Sequence, residues 1–564
     1  MTVIRTICTG CGVGCGIRAT VGEGREARIE GDRMHPANQG RLCPLGAALG
    51  QDVGLEERLL HPEVGGKRVT WDKAIGHVAR RLGDLIARHG PDSIAFHVSG
   101  DLPTEDIYVA NKLMKGYIGA ANIDGDAPAG TADIVAAHVR TFGEDVQPAS
   151  FEDVDRADLI VLIGGTLMES HPILHQRIMI AHSERSCGLV MIGGQEESEC
   201  DLHLPVRPGS EGALMKGLLV FCDRAGVIDQ RFLENSVAVS ESFWRGVRDG
   251  HDLWSVARAC GVAPALLKRF YEMFTAQSRT VTMFGPDRAG VSRGDDSAQA
   301  ILNIHLATGR IGKPGAGPFA LTGQANGMGW REVGASATTL AAHMDFAPDN
   351  VARVRRFWAA PAMATGPGVG GSALFEHVRE GRIRALWIMG DDPVATRPDG
   401  EAVAEALAAC PLVIHSHWRA DSATGRHAHV RLPAAAWNER DGTLTSADRL
   451  ISRQRALFPL PGEARPDWWM LTRVARAMGW RESFPYDRAA DIYREHARLS
   501  AYQNGGAGGR ERLFNLRRHA SISNPAYDQL TPWRWGEIPF DGGRFSTPDG
   551  RARLGPAVES DRAP

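Results

Sequence analysis

Six short apolar runs recur along the chain, each ending in glycine or polar residues and each followed by a segment with helical spacing. Continuous apolar strands that alternate with helices are typical of parallel sheets covered by helices on both faces. More than one sheet is needed to hold six of them, so the sequence predicts an α/β protein with doubly wound parallel sheets. The runs are "DSIAFHVSG" (92–100), "ADLIVLIGG" (157–165), "GLVMIGG" (188–194), "RTVTMFGP" (279–286), "IRALWIMGDDP" (383–393) and "CPLVIHSH" (410–417).

The cysteines are concentrated at the amino terminus, where "CTGCGVGCG" (8–16) is followed by one more cysteine in the next 27 residues. A cubane iron-sulfur cluster needs four thiolates, three from a tight loop and one from a distant segment. Glycine at every second position lets the backbone bend and approach the cluster closely. We therefore predict a 4Fe-4S cluster held by Cys8, Cys11, Cys15 and Cys43.

The main alternative to an iron-sulfur cluster at these four cysteines is a zinc ion. The other alternative is a vestigial site that no longer binds metal. Structural zinc sites usually pair two C-x2-C knuckles, and the C-x2-C-x3-C spacing is poorly suited to tetrahedral coordination of one zinc ion. Clustering of cysteines in a reducing compartment indicates metal binding rather than disulfides. The five other cysteines, at 187, 200, 222, 260 and 410, are interpreted as buried or incidental thiols.

Composition excludes several classes of function. The formal net charge of −3 and the pI near 6.7 lack the basic excess that favours nucleic-acid binding. No stretch approaches the ~18 apolar residues of a membrane span, so no membrane insertion is expected. The amino terminus "MTVIRTICTG" lacks an export signal, which predicts a cytoplasmic protein.

Glycines that end the apolar strands are candidate phosphate contacts. Ligands of doubly wound sheets bind beyond the carboxyl ends of the strands, where glycine lets phosphate approach backbone amides. A strand-glycine turn alone is more often a tight turn than a nucleotide site. The candidates are Gly164, Gly165, Gly193, Gly390 and Asp391.

Longer motifs carry a resemblance to a known family. The chain resembles the molybdopterin oxidoreductases, a family that includes formate dehydrogenases and nitrate reductases, and is most similar to the nitrate reductase type. The resemblance implies an amino-terminal cluster that exchanges electrons with molybdenum held by two pyranopterin guanine dinucleotides between two doubly wound domains. The matching stretches are "CTGCGVGCG", "HPANQGRLC" (35–43), "TEDIYVANKLMKGYIGAANID" (104–124), "HPILHQR" (171–177), "DLHLPVRPG" (201–209), "NIHLATGRIGKPGAGP" (303–318), "TGQANGMGWREVG" (322–334) and "ERDGTLTSADRLISRQR" (439–455).

The matched motifs also imply functional residues. If a pterin is bound, Gly323 joins the glycines above as a candidate contact. The alternative is that the polar residues of the motifs form hydrogen bonds in a buried polar core. The candidate catalytic residues are His171, Arg177, Gln324, Asn326, Arg331 and Glu332.

Three positions depart from the family pattern. The position of the nitrate-reductase cysteine that binds molybdenum is Gly130, and the nearby Asp126 and Asp133 have the wrong offset. The usual lysine two positions after the fourth cysteine is Leu45, and no lysine precedes Lys67. The segment "GGQEESE" (193–199) places acidic side chains where relatives contact a nucleotide, and these would repel phosphate.

The predicted domain organisation has four parts. Residues 1–60 form the 4Fe-4S domain, 61–145 with 335–500 a discontinuous α/β domain, 146–334 an inserted α/β domain, and 501–564 a carboxy-terminal extension. The family continues past "GRFSTPDGRARL" (543–554) into a domain that covers both pterins, and this domain is expected to be missing here.

Three functions are consistent with these features. The departures favour an iron-sulfur electron-transfer or scaffold subunit that has lost the molybdenum ligand and works with other redox subunits. The first alternative is an active molybdenum or tungsten bis-pterin oxidoreductase, of nitrate reductase or formate dehydrogenase type, with a non-protein metal ligand and a small-molecule substrate. The second is a non-redox assembly or regulatory protein with a structural cluster.

The cysteine assignment predicts the effect of one substitution. Cys11→Ser should remove the brown absorbance of the cluster while the α/β domains stay folded, because only the thiolate cage is changed. Absorbance and circular dichroism of anaerobically purified protein measure both effects. Cys410→Ser is the control and should keep the absorbance; an unchanged spectrum in Cys11→Ser would refute the assignment.

Overall fold

The structure is a computed structural model that describes residues 2–51, 54–128, 130–164, 167–194, 199–286, 290–291, 296–505 and 511–555. The strands are β1 (Thr2–Ile7), β2 (Gly16–Val21), β3 (Ala27–Gly31), β4 (Glu63–Val64), β5 (Lys67–Arg68), β6 (Ile94–Val98), β7 (Ile123–Asp124), β8 (Leu159–Ile163), β9 (Gly188–Ile192), β10 (Leu202–Leu204), β11 (Val237–Val239), β12 (Thr280–Pro286), β13 (Gly290–Val291), β14 (Gly317–Ala320), β15 (Ala385–Met389), β16 (Leu412–His417), β17 (Val430–Pro433), β18 (Gly442–Thr445), β19 (Leu450–Gln454), β20 (Trp533–Arg534) and β21 (Ala552–Leu554).

The helices lie between these strands and cover the sheets. They are α1 (Pro44–Ala48), α2 (Trp71–His89), α3 (Thr104–Lys112), α4 (Thr131–Phe142), α5 (Phe151–Arg156), α6 (Leu167–Ser170), α7 (Pro172–Arg185), α8 (Glu211–Arg224), α9 (Gln230–Ser236), α10 (Phe243–Arg248), α11 (Leu253–Cys260), α12 (Pro264–Ala276), α13 (Ser297–Ala307), α14 (Gly327–Val333), α15 (Pro348–Trp358), α16 (Ser372–Arg379), α17 (Pro393–Thr396), α18 (Gly400–Ala409), α19 (Asp467–Ala477), α20 (Ala489–Ala501) and α21 (Asn524–Asp528).

The first three strands form a small antiparallel sheet, with β2 between β1 and β3. The first three clustered cysteines lie in the loop that joins β1 to β2, and the Cys8 amide donates to the Cys15 carbonyl at 2.8 Å. The fourth, Cys43, immediately precedes α1 and caps that helix. The short hairpin thus positions three cysteines, and α1 positions the last.

A seven-stranded sheet has the order β5-β4-β17-β16-β15-β6-β7. The five strands from β17 to β7 are parallel, and β4 and β5 add an antiparallel edge. After β6, the chain forms β7 on one side of that strand and later forms β15 on its other side. The strand order therefore reverses between β6 and β15, and a crevice is expected between their carboxyl ends. Such a topological switch point is where doubly wound sheets bind ligands.

A six-stranded sheet has the order β10-β9-β8-β12-β13, and β14 also pairs with β12. All of its pairs are parallel. Its switch point lies between β8 and β12. Every residue of β8 in this sheet is buried, and so is every residue of β6 in the seven-stranded sheet. Such burial is expected for sheets covered by helices on both faces.

The predicted fold class is confirmed, because all six apolar runs form parallel strands of these two sheets. The domain limits stay a prediction. The residues after 500 pack onto earlier parts of the chain, since β20 pairs with β19 and β21 pairs with β11. No helix in the described ranges is long and apolar enough to cross a membrane.

A buried ion pair joins the segment after α4 to α14. The Arg331 Nε donates to Asp145 Oδ2 at 2.7 Å, and a second guanidinium nitrogen donates to Oδ1. His138 Nδ1 lies 3.0 Å from the same Oδ1. Burial opposes ionisation of Asp145, but Arg331 and His138 hold the pKa of that carboxyl well below its usual range.

Breaking this pair should destabilise the fold. Asp145→Asn leaves the Arg331 guanidinium buried without its counter-ion, at a cost of about 3–5 kcal/mol. The midpoint of thermal unfolding should therefore fall clearly. Glu380→Gln, which breaks an exposed pair with Arg382, is the control and should change stability by less than about 0.5 kcal/mol; equal midpoints for both variants would contradict the prediction.

Candidate functional site

The four clustered cysteines line one cavity. Cys8, Cys15 and Cys43 are buried, and Cys11 is partly exposed. Leu42, Leu45, Pro172 and Ile173 complete a mainly apolar wall. The predicted ligands are therefore brought together, and we name this space the cysteine cavity.

The arrangement fits a cluster better than a single ion. Across the described ranges, no group of three or more His, Cys, Asp or Glu residues is placed to hold a metal ion. A tetrahedral zinc site requires four ligands that meet at one ion. The four thiols here surround a cavity instead. Backbone amides approach two sulfurs, from Gly10 to Cys8 Sγ at 3.4 Å and from Gly46 to Cys43 Sγ at 3.5 Å. Such N–H···S contacts stabilise thiolates bound to iron.

The thiols cannot ionise easily by themselves. Burial raises the pKa of Cys8 to about 12 and that of Cys11 to about 11, and repulsion from Cys43 adds to both shifts. Four thiolates in one apolar cavity therefore need the positive charge of bound metal to offset desolvation and mutual repulsion.

Close packing explains two of the alternating glycines. A Cβ on Gly12 would lie 2.0 Å from the Thr322 carbonyl oxygen, and a Cβ on Gly16 would lie 2.3 Å from His35 Cβ. Gly14 has a φ of +61°, which favours glycine. The loop is thus packed against other segments of the protein as well as shaped around the cavity.

A second cavity lies beside residue 130. Pro128 and Thr131 line it from either side of Gly130, whose φ of +88° leads into α4. We name it the α4 cavity. Its lining, within the part of the chain that the structure describes, contains no Cys, His, Asp or Glu. Among the described lining residues, the cysteine cavity thus offers four thiols for a cluster, and the α4 cavity offers none of the usual metal-ligand side chains.

Three of the predicted catalytic residues lie at or beside the α4 cavity. Gln324 and Arg331 line it. His171 lies between the two cavities, where its Nε2 is 2.8 Å from the Thr322 carbonyl and its Nδ1 is 2.8 Å from Ser170 Oγ. Burial lowers the pKa of His171, so the ring is neutral and donates through Nε2.

The other three predicted catalytic residues hold the frame together. Arg177 donates to the Pro36 and Ala37 carbonyls at 2.9 and 2.7 Å, which fixes the segment that leads to Cys43. Asn326 bridges several backbone groups, including the amide of Thr445 at 2.7 Å. Glu332 accepts hydrogen bonds from Thr445 Oγ1 and Trp535 Nε1, and burial raises its pKa to about 7.

The glycine candidates lie at the carboxyl ends of strands. Gly164 follows β8, Gly193 follows β9, and Gly390 with Asp391 follows β15 at the switch point. Gly323 lies on the wall of the α4 cavity. Gly165 lies outside the described residues, as do residues 195–198 of the acidic segment.

Sequence reasoning named Asp391 at the first switch point but missed His97, Asp101 and Asp124. His97 Nε2 lies 2.8 Å from Asp391 Oδ2. Burial and repulsion from Asp126 raise the pKa of Asp101 to about 6, and burial raises that of Asp124 to about 6. The one sequence signal for His97, Asp101 and Asp124 is that they lie in or just after predicted strands, where ligand-binding residues are expected.

Two family models match this chain. The molybdopterin oxidoreductase Fe4S4 domain matches residues 1–54, and the molybdopterin oxidoreductase model matches residues 58–477. The chain is 46% identical over 539 residues to a nitrate reductase of Klebsiella oxytoca, covering 95% of this chain and 61% of the relative. It is 36% identical over 587 residues to a nitrate reductase of Shewanella frigidimarina, covering 99% and 62% respectively. The chain thus spans about three-fifths of the length of these relatives.

A solved structure supports the fold. Acetylene hydratase from Pelobacter acetylenicus superposes with a TM-score of 0.75 over 98% of this chain and 77% of that chain, at 16% identity. Identity at this level concerns the fold alone.

The packing of Gly12 predicts the effect of a single methyl group. Gly12→Ala should reduce cluster loading, because the new Cβ meets the Thr322 backbone and the cysteine loop must move. Iron per chain, measured after anaerobic purification, tests this. Gly22→Ala is the matched control and should keep its iron, since its Cβ would lie 3.7 Å from the nearest atom, Glu26 Oε2; full iron content in Gly12→Ala would contradict the prediction.

Proposed function

The chain belongs to the molybdopterin oxidoreductase family, and on that premise we propose that it is an iron-sulfur electron-transfer subunit of a redox complex. Cys8, Cys11, Cys15 and Cys43 hold one 4Fe-4S cluster, which supplies one-electron chemistry. The observation that carries this proposal is the contrast between the two cavities. One is lined by four cysteines, and the described lining of the other has none of the usual metal-ligand side chains.

The surrounding residues set the conditions for electron transfer. The apolar wall from Leu42, Pro172 and Ile173 keeps water away, and the Gly10 and Gly46 amides place partial positive charge near two sulfurs. Both effects tune the potential of an iron-sulfur centre. The partner is another redox protein, which gives or takes one electron at a time.

A second candidate function is an active molybdenum or tungsten oxidoreductase. Two observations favour it: both sheets have a topological switch point, and the relatives at 46% and 36% identity are nitrate reductases. In this case, the glycines after β8, β9 and β15 and Asp391 contact two guanine dinucleotides, and the metal has a non-protein ligand. Nitrate or formate would then be the substrate.

Metal analysis and a redox titration separate these functions. Anaerobically purified protein should contain about four iron atoms per chain, no stoichiometric molybdenum or tungsten, and a cluster that is reduced reversibly by one electron. Stoichiometric molybdenum or tungsten with bound pterin would replace the proposal with the second candidate. A cluster that cannot be reduced would assign it a structural role and overturn electron transfer.

A further inference from the structure

We propose that Asp101 takes up a proton when the iron-sulfur cluster is reduced, so that electron transfer by this chain is coupled to proton transfer. The inference rests on the proposed function above, because it requires a cluster that accepts one electron. In the coupled step, the cluster gains one electron from its redox partner, and the Asp101 carboxylate gains one proton from solvent. No other bond forms or breaks.

Backbone amides hold Asp101 just after β6, at the first switch point. The Ala325 amide donates to Asp101 Oδ1 at 3.2 Å. The Asn326 amide donates to the carbonyl of the preceding residue, Gly100, at 2.9 Å. These two hydrogen bonds fix the carboxyl group against the segment that follows β14.

The same segment also packs against the cysteine loop. It contains Thr322, whose carbonyl oxygen would lie 2.0 Å from a Cβ on Gly12. The carboxylate and the thiols are close enough to repel each other. Burial is the main cause of the raised pKa of Cys8 and of Cys11, and repulsion from Asp101 adds to both shifts. A charge on the cysteines therefore acts in turn on the Asp101 carboxyl.

One oxygen of this carboxyl is available to a proton. Asp101 is half-buried, and its Oδ2 has no hydrogen-bond partner in the ranges that the structure describes. The other oxygen, Oδ1, accepts from the Ala325 amide, and a proton on Oδ2 leaves that hydrogen bond in place. Solvent can thus deliver the proton without a change in the backbone.

Charged groups from three other segments face Asp101. Asp126, in the loop before α4, and Asp391, just after β15, oppose its ionisation, whereas Arg440 favours it. The Arg440 guanidinium also donates to the Asp101 carbonyl at 3.1 Å. His97 lies 2.8 Å from Asp391 and partly offsets that charge. Burial, followed by repulsion from Asp126, raises the pKa of Asp101 to about 6.

The charge of the cluster sets the direction of the coupling. Reduction adds one negative charge, which raises the pKa of Asp101 further. Between its pKa in the oxidised protein and its pKa in the reduced protein, up to one proton binds per electron. By reciprocity, the bound proton stabilises the reduced cluster, so the midpoint potential should fall as the pH rises from about 6. A tenfold change in proton concentration changes the potential by at most about 59 mV.

Mediated redox titrations of the anaerobically purified protein, followed by the visible absorbance of the cluster, test the coupling. The midpoint potential of the unchanged protein should fall between about pH 5 and about pH 9. In Asp101→Asn the potential should not depend on pH. It should match the unchanged protein at the lower pH and exceed it at the higher pH, because only the ionised carboxylate opposes reduction. A merely structural change would shift the potential at both pH values.

Two further variants and a direct measurement complete the test. Asp101→Glu keeps a titratable carboxyl and should retain a pH-dependent potential. Asp32→Asn is the matched control, because Asp32 is a buried carboxyl of the iron-sulfur domain that pairs with Arg5 at 3.3 Å; it should leave the pH dependence unchanged. Proton uptake by the unchanged protein, measured with a pH indicator in weak buffer, should approach one proton per electron within this range.

Several results would overturn the inference. These are a midpoint potential that is the same at both pH values, a pH dependence that persists in Asp101→Asn, and reduction without proton uptake. Loss of the pH dependence in Asp32→Asn as well would assign the effect to a general disturbance of the fold. A cluster that cannot be reduced is a different outcome, since it overturns the proposed function and this inference together.

Discussion

The contact between Gly12 and Thr322 is the constraint on which the rest of the site depends. At this contact the cysteine loop packs directly against the segment that follows β14. No room remains for a side chain at position 12. His171, which lies between Ser170 and Pro172 of the cysteine cavity, donates to the same Thr322 carbonyl, so the two cavities lie close to each other. Any ligand of the α4 cavity therefore lies next to the loop that carries three of the four cysteines.

The two cavities differ in chemistry although they are adjacent. The cysteine cavity has an apolar wall and four thiols whose ionisation requires bound metal, whereas the described lining of the α4 cavity offers neutral donors and one paired guanidinium. This difference is the physical basis for proposing electron transfer at the cysteine cavity.

Some of the residues matched through the family motifs line the α4 cavity, and others hold distant segments of the fold together. Gln324 and Arg331 reach the α4 cavity, but Arg177, Asn326 and Glu332 are buried in hydrogen-bond networks that join distant segments. Arg177, for example, fixes the backbone before Cys43 from a helix more than a hundred residues away. A motif can therefore persist because the frame needs it, whatever chemistry the site performs.

The sequence by itself determined the two parallel sheets and the grouping of the four cysteines. Both depend on local patterns: apolar runs of strand length between helices, and close spacing in one loop. The folded arrangement alone placed Thr322 against Gly12, paired Arg331 with Asp145 and left Trp330 Nε1 without a partner among the described residues. These contacts join residues that are far apart in the chain, and hydrogen-bond satisfaction depends on which atoms finally meet, which no local pattern encodes.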